Sequence, residues 1–403
     1  MFKSTHADHP VDFSHATFLG SANFAGFNFE AGVSFINSIF HSDIQFSGSN
    51  FADRADFTRT RFEGRATFTG SQFNTPTTFI DAVFVGDANF GSFSPMSTTK
   101  FERAVFLRSK FMRPASFREV VFAKDSDFVA AEFNELCDFN FARFEGETRF
   151  DQVRFHKAAI FSGCKLEAIV TFRGREGEPV FFGEANFANI LLERKDVLRF
   201  VQVDLSRVRF HDSDVLKMEF VGSRWARIGN RVGIYEEILL SQKDSVASLH
   251  DVETLYRELK QNHEERRDFA RAGDFHVGEK EMRLRNQQTP VNLRVLLALS
   301  KITSQYGESF LKPLFWLIGI IVYVALFSIL GGLTETNSKR FLDIFAISDW
   351  GKAILFAFDK CFHLPGEYFV PYESVRVLQT LAGIMGPLLI ALLALAIRNK
   401  LRR

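Results

Sequence analysis

Residues 44–68 read IQFSGSNFADRADFTRTRFEGRATF, with phenylalanine at 46, 51, 57, 62 and 68 and small or polar residues at most other places. The steps alternate between five and six residues, so the true period is eleven. An amphipathic helix needs an apolar residue every three to four positions and a half-buried strand every second one; neither fits. A chain that turns a corner every five or so residues does fit, with one large and one small side chain turned inward on each side of the coil. Stacking then buries a continuous column of rings. One buried Phe is worth roughly 1.5–3 kcal/mol, so no coil is stable alone, whereas many stacked together are.

Outward from this stretch the rhythm holds over most of the first half. It begins at Phe13 and gives a candidate structural ladder of Phe18, Phe24, Phe29, Phe35, Phe40, Phe46, Phe51, Phe57, Phe62, Phe68, Phe73, Phe79, Phe84 and Phe90. The register continues through Pro95 to Phe101 and Phe106, slips by one residue at Phe111, and resumes from Phe117 to Phe161. From Phe200 the spacing becomes a strict five through Leu205, Phe210, Val215, Phe220 and Trp225. The stretch Gly174 to Val180 (GREGEPV) breaks the pattern and reads as an extruded loop. Two residues before most rings sits something small, such as Ala16, Ser38, Ser49, Ala55, Ala66, Ser71, Ala82 or Ala88, and Cys137 at this place reads as core filler. Two eleven-residue units per coil and a strand spacing of about 4.8 Å imply a rod on the order of 45 Å.

Segments such as ANF, ADF, ATF and AVF carry a resemblance to the pentapeptide-repeat family, whose unit is A-(D/N)-(L/F)-x-x with the central residue pointing inward. The resemblance covers residues 11–228 and implies a right-handed quadrilateral β-helix. The departure is the recurrent extra residue, expected to bulge one corner of each coil; a triangular coil is the other option. Some soluble members mimic DNA with an acidic surface. Here Lys plus Arg number 49 and Asp plus Glu 48, and residues 11–228 hold both signs in similar number, so no nucleic-acid partner is expected.

From Ile234 to Ser304 helical spacing takes over. Val252, Leu255, Tyr256 and Leu259 form one stripe and Phe269, Ala272, Phe275 and Met282 another, as in two antiparallel helices with a turn near His263 to Arg267. Asp251, or Ser248 a turn earlier, is placed to cap the first. The pair looks like a tetratricopeptide-type hairpin, and either caps the β-helix or couples it to the apolar C-terminal region. His276 and Glu279, with His263 beside Glu264, lack the two-His spacing of a hydrolytic zinc motif and read as solvated helix faces.

Pro313 to Leu333 is uncharged over a length that spans a bilayer core, and Thr380 to Ile397 is a shorter apolar run softened by Gly383, Gly386 and Pro387. Lys301 and Lys312 precede the first, and Arg398, Lys400, Arg402 and Arg403 follow the second, so both termini are expected in the cytoplasm of a multi-pass inner (plasma) membrane protein. The run LYRELKQNHEERRDFARAGDFHVGEKEMR, followed by SQYGESFLKPL and the two apolar stretches, is similar to a membrane-bound bacterial subfamily of pentapeptide-repeat proteins, from about residue 250 to the C-terminus. Met1 to Pro10 has no apolar core and reads as disordered, with no secretory signal.

Between the spans, Trp350 to Phe362 is amphipathic and runs into His363-Leu364-Pro365-Gly366. This order resembles the pore module of the potassium-channel superfamily, with Trp350, Phe358, Phe362, Gly366 and Tyr368 as candidate pore-loop residues. The turn reads LPGEYFVP where such filters carry a Thr-x-Gly-Tyr/Phe-Gly run. The leading expectation is therefore an interfacial helix that dips its Phe and Trp into the outer headgroups, with a pore helix second. Two spans cannot enclose a pore alone, so the channel reading requires a homo-oligomer.

The three cysteines, Cys137, Cys164 and Cys361, are far apart and suit a reducing compartment. No phosphate loop, dinucleotide loop, nucleophile elbow or zinc helix motif occurs. No catalytic residue, cofactor or metal is expected. The expectation is an all-β solenoid (right-handed quadrilateral β-helix) plus an α-helical linker and two transmembrane helices. Its parts are residues 1–10, the β-helix at 11–228, the linker or cap at 229–306, and the hairpin at 307–403 with an outward loop at 334–379. The expected partners are the lipid bilayer and an unidentified protein held by the β-helix.

Overall fold

A computed structural model of the chain describes residues 6–401 except 93–96, 176, 243–246, 337–339, 365–368 and 372. The chain forms two compact units, one ending at Arg266 and the other starting at Arg267. Each is described by itself.

The first unit is a β-solenoid of about ten turns. Backbone pairs are parallel and join residues 22 apart: Phe18 with Phe40, Phe40 with Phe62, Phe29 with Phe51, Phe51 with Phe73. Four ladders of short strands follow each other around every coil, which makes the coil quadrilateral. Two of them merge into one 17-stranded sheet because the strands Gln72–Thr78 and Lys100–Val105 run through a corner; the others have seven and nine strands. Rings of successive coils lie face to face, as in Phe57 with Phe79 at 4.8 Å and 2°, and meet their neighbours across the coil edge-on, as in Phe57 with Phe68 at 5.6 Å and 86°. Both arrangements suit the aromatic quadrupole.

Corners are of two kinds, and they explain the alternating step. At the five-residue corners the N–H two places before one Phe donates to the carbonyl of the preceding Phe, as Ala16 to Phe13 and Thr60 to Phe57, and the residue between has positive φ. That is what a type II turn needs at its third position. The place is filled by Gly26, Gly48 and Gly70 but also by Asn37, Arg59 and Ala130, at φ near 55–74°. At the six-residue corners the extra residue lets consecutive coils touch backbone to backbone: a Cβ on Gly86 would stand 2.3 Å from the Gly64 carbonyl oxygen. Two corners of each coil thus carry the extra residue, where one had been expected. In the last coil, Phe200 pairs with Phe220 and all four steps are five residues.

Three departures from the expected register have local causes. The stack begins before residue 11, since His6–Ala7 pairs with Asn28–Phe29; Ala7 stands where a ring would, so the aromatic rhythm is silent there. Between Phe90 and Phe101 the coil is lengthened, Phe73 pairing with Phe101, and Pro95 lies outside the described residues. The one-residue slip then falls at the corner after Phe101, where the Gln72–Thr78 strand bulges between Phe73 and Pro76, and not at Phe111. At the Gly174–Val180 loop, Arg175 and Glu178 form a one-bridge antiparallel turn, and Phe181 re-enters the ladder above Phe155.

Inside, Phe24 and every later ring of the ladder to Phe90 is buried, while Phe18 in the first coil is half-buried. Hydroxyls at the small inward places would be costly if unpaired. Ser49, Thr60 and Ser71 donate to the carbonyls of Phe24, Phe35 and Phe46, one coil below, at 2.6–2.7 Å. Cys137 is buried between Ala115 and Ala159 in its ladder, and burial pushes its thiol pKa well up.

After the last coil come an antiparallel hairpin, Ala226–Ile228 with Arg231–Gly233, and two helices, α1 (Tyr235–Gln242) and α2 (Leu249–Glu265). Ser248 and Asp251 share one capping box at the start of α2, so both candidate caps act together. The second unit contains α3 (Phe269–Arg285), α4 (Val291–Ser304), α5 (Leu311–Leu330), α6 (Ile347–Phe362) and α7 (Glu373–Leu401). Strand Leu333–Glu335, just after α5, pairs antiparallel with Phe369–Pro371, just before α7. α5 ends three residues earlier than the apolar run because Gly331 and Gly332 come next, Gly332 at φ +91°. Pro387 lies inside α7 without ending it.

Candidate functional site

Three places offer chemistry: the outer faces of the solenoid, its closed end, and the apolar helices.

On the solenoid, charge is paired from coil to coil. Arg108 forks onto Asp81 at 2.7 and 2.8 Å, Arg154 meets Glu178 at 2.8 Å, and Lys165 holds Glu167 at 2.7 Å and Glu193 at 2.8 Å. An amide ladder, Asn28, Asn50 and Asn74 at 2.7 and 2.9 Å, runs along the face that carries Lys165 further up the stack. Exposed pairs of this kind contribute at most about 1 kcal/mol each, so their effect is on the surface more than on stability. The register also sorts residues into columns. The residues following Phe29, Phe51, Phe73, Phe101, Phe122, Phe144, Leu166 and Leu192 form a column with Glu30, Glu102, Glu145, Glu167 and Glu193. Those following Phe18, Phe40, Phe62, Phe84, Phe111, Phe133, Phe155 and Phe181 are Leu19, His41, Glu63, Val85, Met112, Asn134, His156 and Phe182. This second column has one acid and no Lys or Arg. Its apolar members Leu19, Met112 and Phe182 are exposed, and Phe182 stacks on His156 at 4.8 Å.

The closed end satisfies the backbone groups that a last coil leaves open. The Asn262 amide on α2 donates to the carbonyls of Val215 at 2.8 Å and Met218 at 2.9 Å, and His263 lies parallel to the Phe220 ring. Glu236, on α1, accepts from the Phe210 N–H. It is 1% exposed, and burial raises its carboxyl to about 7. Beside it, Arg231 grips Glu237 with two bonds of 2.5 Å, and the Tyr256 hydroxyl donates to Glu237 at 2.6 Å. Val252, Leu255, Tyr256 and Leu259 are all buried. The second stripe lies on α3, in the other unit. His276 and Glu279 approach to 3.9 Å, and among the described residues no three His, Cys, Asp or Glu side chains cluster closely enough to hold an ion. Sequence reasoning missed Glu236, Arg231 and Asn262, since their role depends on where the last coil stops.

In the second unit, Leu311–Leu330 in α5 and Val375–Leu401 in α7 each contain an eighteen-residue segment, with mean hydropathy 2.4 and 2.3, of which only 33% and 22% is buried. A core helix of a soluble protein would hide most of such a surface. α5 and α7 pack on each other, and α6 joins both through Ala353, Phe356, Ala357 and Cys361, in one cluster with Val324 and Ala325 of α5 and Ala382 and Leu389 of α7. A Cβ on Gly386 would stand 2.3 Å from the Cys361 carbonyl oxygen. Gly386 is thirteen residues into α7, about 20 Å along it, so the C-terminal end of α6 lies far down the helix. α6 therefore runs alongside α7. Three of the candidate pore-loop residues lie along it. Trp350 donates to the Ile344 carbonyl at 2.9 Å near its start, and Phe358 and Phe362 stack at 4.2 Å near its end. Gly366 and Tyr368 lie outside the described residues. At the start of α6, Asp349 is buried; it accepts from Arg340 at 2.7 Å and the Asp343 N–H at 3.0 Å.

Residues 13–61 and 106–154 match the family described as Pentapeptide repeats (9 copies). No curated protein and no solved structure matches the chain. Register, corner geometry and sequence match agree: the first unit is a pentapeptide-repeat solenoid, followed in the same chain by two helices long and apolar enough to cross a bilayer.

Proposed function

We propose that this protein is a membrane-anchored scaffold, in which the solenoid presents a rigid, non-enzymatic protein-binding surface in the cytoplasm and α5 to α7 fix it to the inner (plasma) membrane of a bacterial cell. The observation that carries the binding reading is the column from Leu19 to Phe182, which holds one acid and no Lys or Arg and exposes Leu19, Met112 and Phe182, although the ion pairs Arg61–Glu63 and Arg154–Glu178 border it on the same face. Interfaces favour aromatic residues and methionine at their centre and exclude charge there. Held by stacked backbone, the stripe is preorganised, which lowers the entropy cost of association. Basic residues before α5 and after α7 support cytoplasmic termini. The mixed charge speaks for protein over nucleic acid.

The test is a photoreactive benzoylphenylalanine at Phe182, and in parallel at Glu145 on the acidic column, irradiated in intact membranes. A discrete adduct with another protein from position 182 and none from 145 supports the reading; no adduct from either, or equal adducts from both, removes it. Trypsin added to spheroplasts should leave the solenoid whole, and digestion from outside would reverse the orientation.

The course of α6 alongside α7 favours a second reading, in which several copies assemble around a path lined by α6 and the solenoid regulates it. The missing Thr-x-Gly-Tyr-Gly run speaks against potassium selectivity in such a path. Purified tetramers that carry current in planar bilayers would favour this reading; monomers or dimers without conductance would favour the first.

A further inference from the structure

We infer that α4 is an interfacial helix, lying in the headgroup region of the bilayer on the side where α5 begins. This rests on the membrane anchoring proposed above. α4 has 14 residues, about 21 Å, too short for a hydrocarbon core of about 30 Å, and it carries Arg294 and Lys301. Its inner face is settled within the second unit: Leu293 and Leu297 pack with Val277 of α3 and with Tyr306. Its opposite face is uncovered and mainly apolar, with Asn292 and Thr303 among five aliphatic residues. Val291, Val295, Leu296, Leu299 and Ile302 are each more than half exposed. At 100° per residue they fall on one side, with Arg294 and Lys301 together on a flank.

Continuity with α5 identifies what covers that face. Gln305 takes a left-handed conformation at the end of α4, the chain turns, and α5 starts six residues later. The Trp316 indole N–H donates to the Ile302 carbonyl at 3.3 Å, and the Lys312 ammonium to the Lys301 carbonyl at 3.0 Å. The C-terminal end of α4 is thereby held at the first turns of α5, beside the exposed Phe315 and Ile318. A bare apolar stripe at that level, with Trp and Lys at the junction, suits the bilayer boundary, where indoles and basic side chains sit at headgroup depth.

The test uses the full chain in lipid nanodiscs with Leu299→Cys, Ile318→Cys or Leu19→Cys, each labelled with an environment-sensitive fluorophore. The native cysteines are buried and stay unlabelled. The label at 299 should lose at least half its emission to lipids with a shallow nitroxide and little to aqueous iodide, the label at 318 should respond to a deeper nitroxide, and the label at 19 to iodide alone. If 299 responds like 19, its face meets water; if it resists both quenchers, protein covers it. Either result overturns the inference while a lipid response at 318 preserves the anchoring. Lack of lipid quenching at 318 as well would remove the anchoring itself.

Discussion

A phenylalanine in the first unit and one on α5 answer to different surroundings. Phe46, Phe57 and Phe68 are fully buried, each stacked on the ring one coil above and below, whereas on α5 Phe315 is 67% exposed and Trp316 and Tyr323 are about half exposed. In the solenoid the apolar groups turn in and the charges turn out to pair between coils. On α5 and α7 the apolar groups turn out and the charges are confined to the ends. One rule, that apolar surface leaves water, gives both arrangements once the medium beyond the second unit is lipid. The two halves share a composition bias and differ in what lies on their outer side.

The sharpest way to break this comparison is a truncation made in both places. Phe68→Ala leaves a cavity in a stack with no freedom to collapse and should lower the stability of the solenoid by ~3–5 kcal/mol in urea unfolding of the full chain in detergent. Phe315→Ala should leave that transition where it was. Next comes acidity. Glu236 has a folded-state pKa raised by burial from 4.5 to about 7, so the protonated form is the one the closed end favours. Its contribution is fully present below about pH 4.5, declines as pH rises through about 7, and is worth about 3 kcal/mol across that window. Urea midpoints that fall between pH 5 and 8, and that flatten in Glu236→Gln, are the expected result; an unchanged slope in the variant would place the titration elsewhere.

Smaller effects probe the corners. Thr60→Val removes the donor to the Phe35 carbonyl and should cost about 1 kcal/mol. Arg59→Gly relieves positive φ at a five-residue corner and should raise stability by about 0.5 kcal/mol, part of the relief being offset by the entropy of glycine. Arg59→Val, which places a β-branched residue at the same φ, should lower it.

Much of the solenoid was legible because its signal is periodic. Eleven-residue spacing in the sequence becomes the 22-residue register, and the strict fives after Phe200 become the shorter last coil. The start at His6 was silent because a backbone ladder needs no ring, and Ala7 occupies the ring's place. The slip after Phe101 was misplaced by one corner because a bulge leaves the spacing of the rings almost unchanged. The closed end was hidden for another reason: Glu236, Asn262 and Arg231 answer to open backbone groups and to one another, and such partners are set by tertiary placement. Helix length and polarity marked α5 and α7. The path of α6 was set by Gly386 meeting the Cys361 backbone, a contact that a Gly-Pro pair inside an apolar run only hints at.

Both arrangements of aromatic rings meet in one experiment, extraction of membranes from cells expressing the full chain with alkaline carbonate. The protein should stay in the pelleted lipid after the wash, since α5 and α7 remain in hydrocarbon whatever happens to the closed end of the solenoid at high pH. Recovery of the intact chain in the supernatant would contradict the account, because the outward apolar faces of α5 and α7 would then have to be covered by protein.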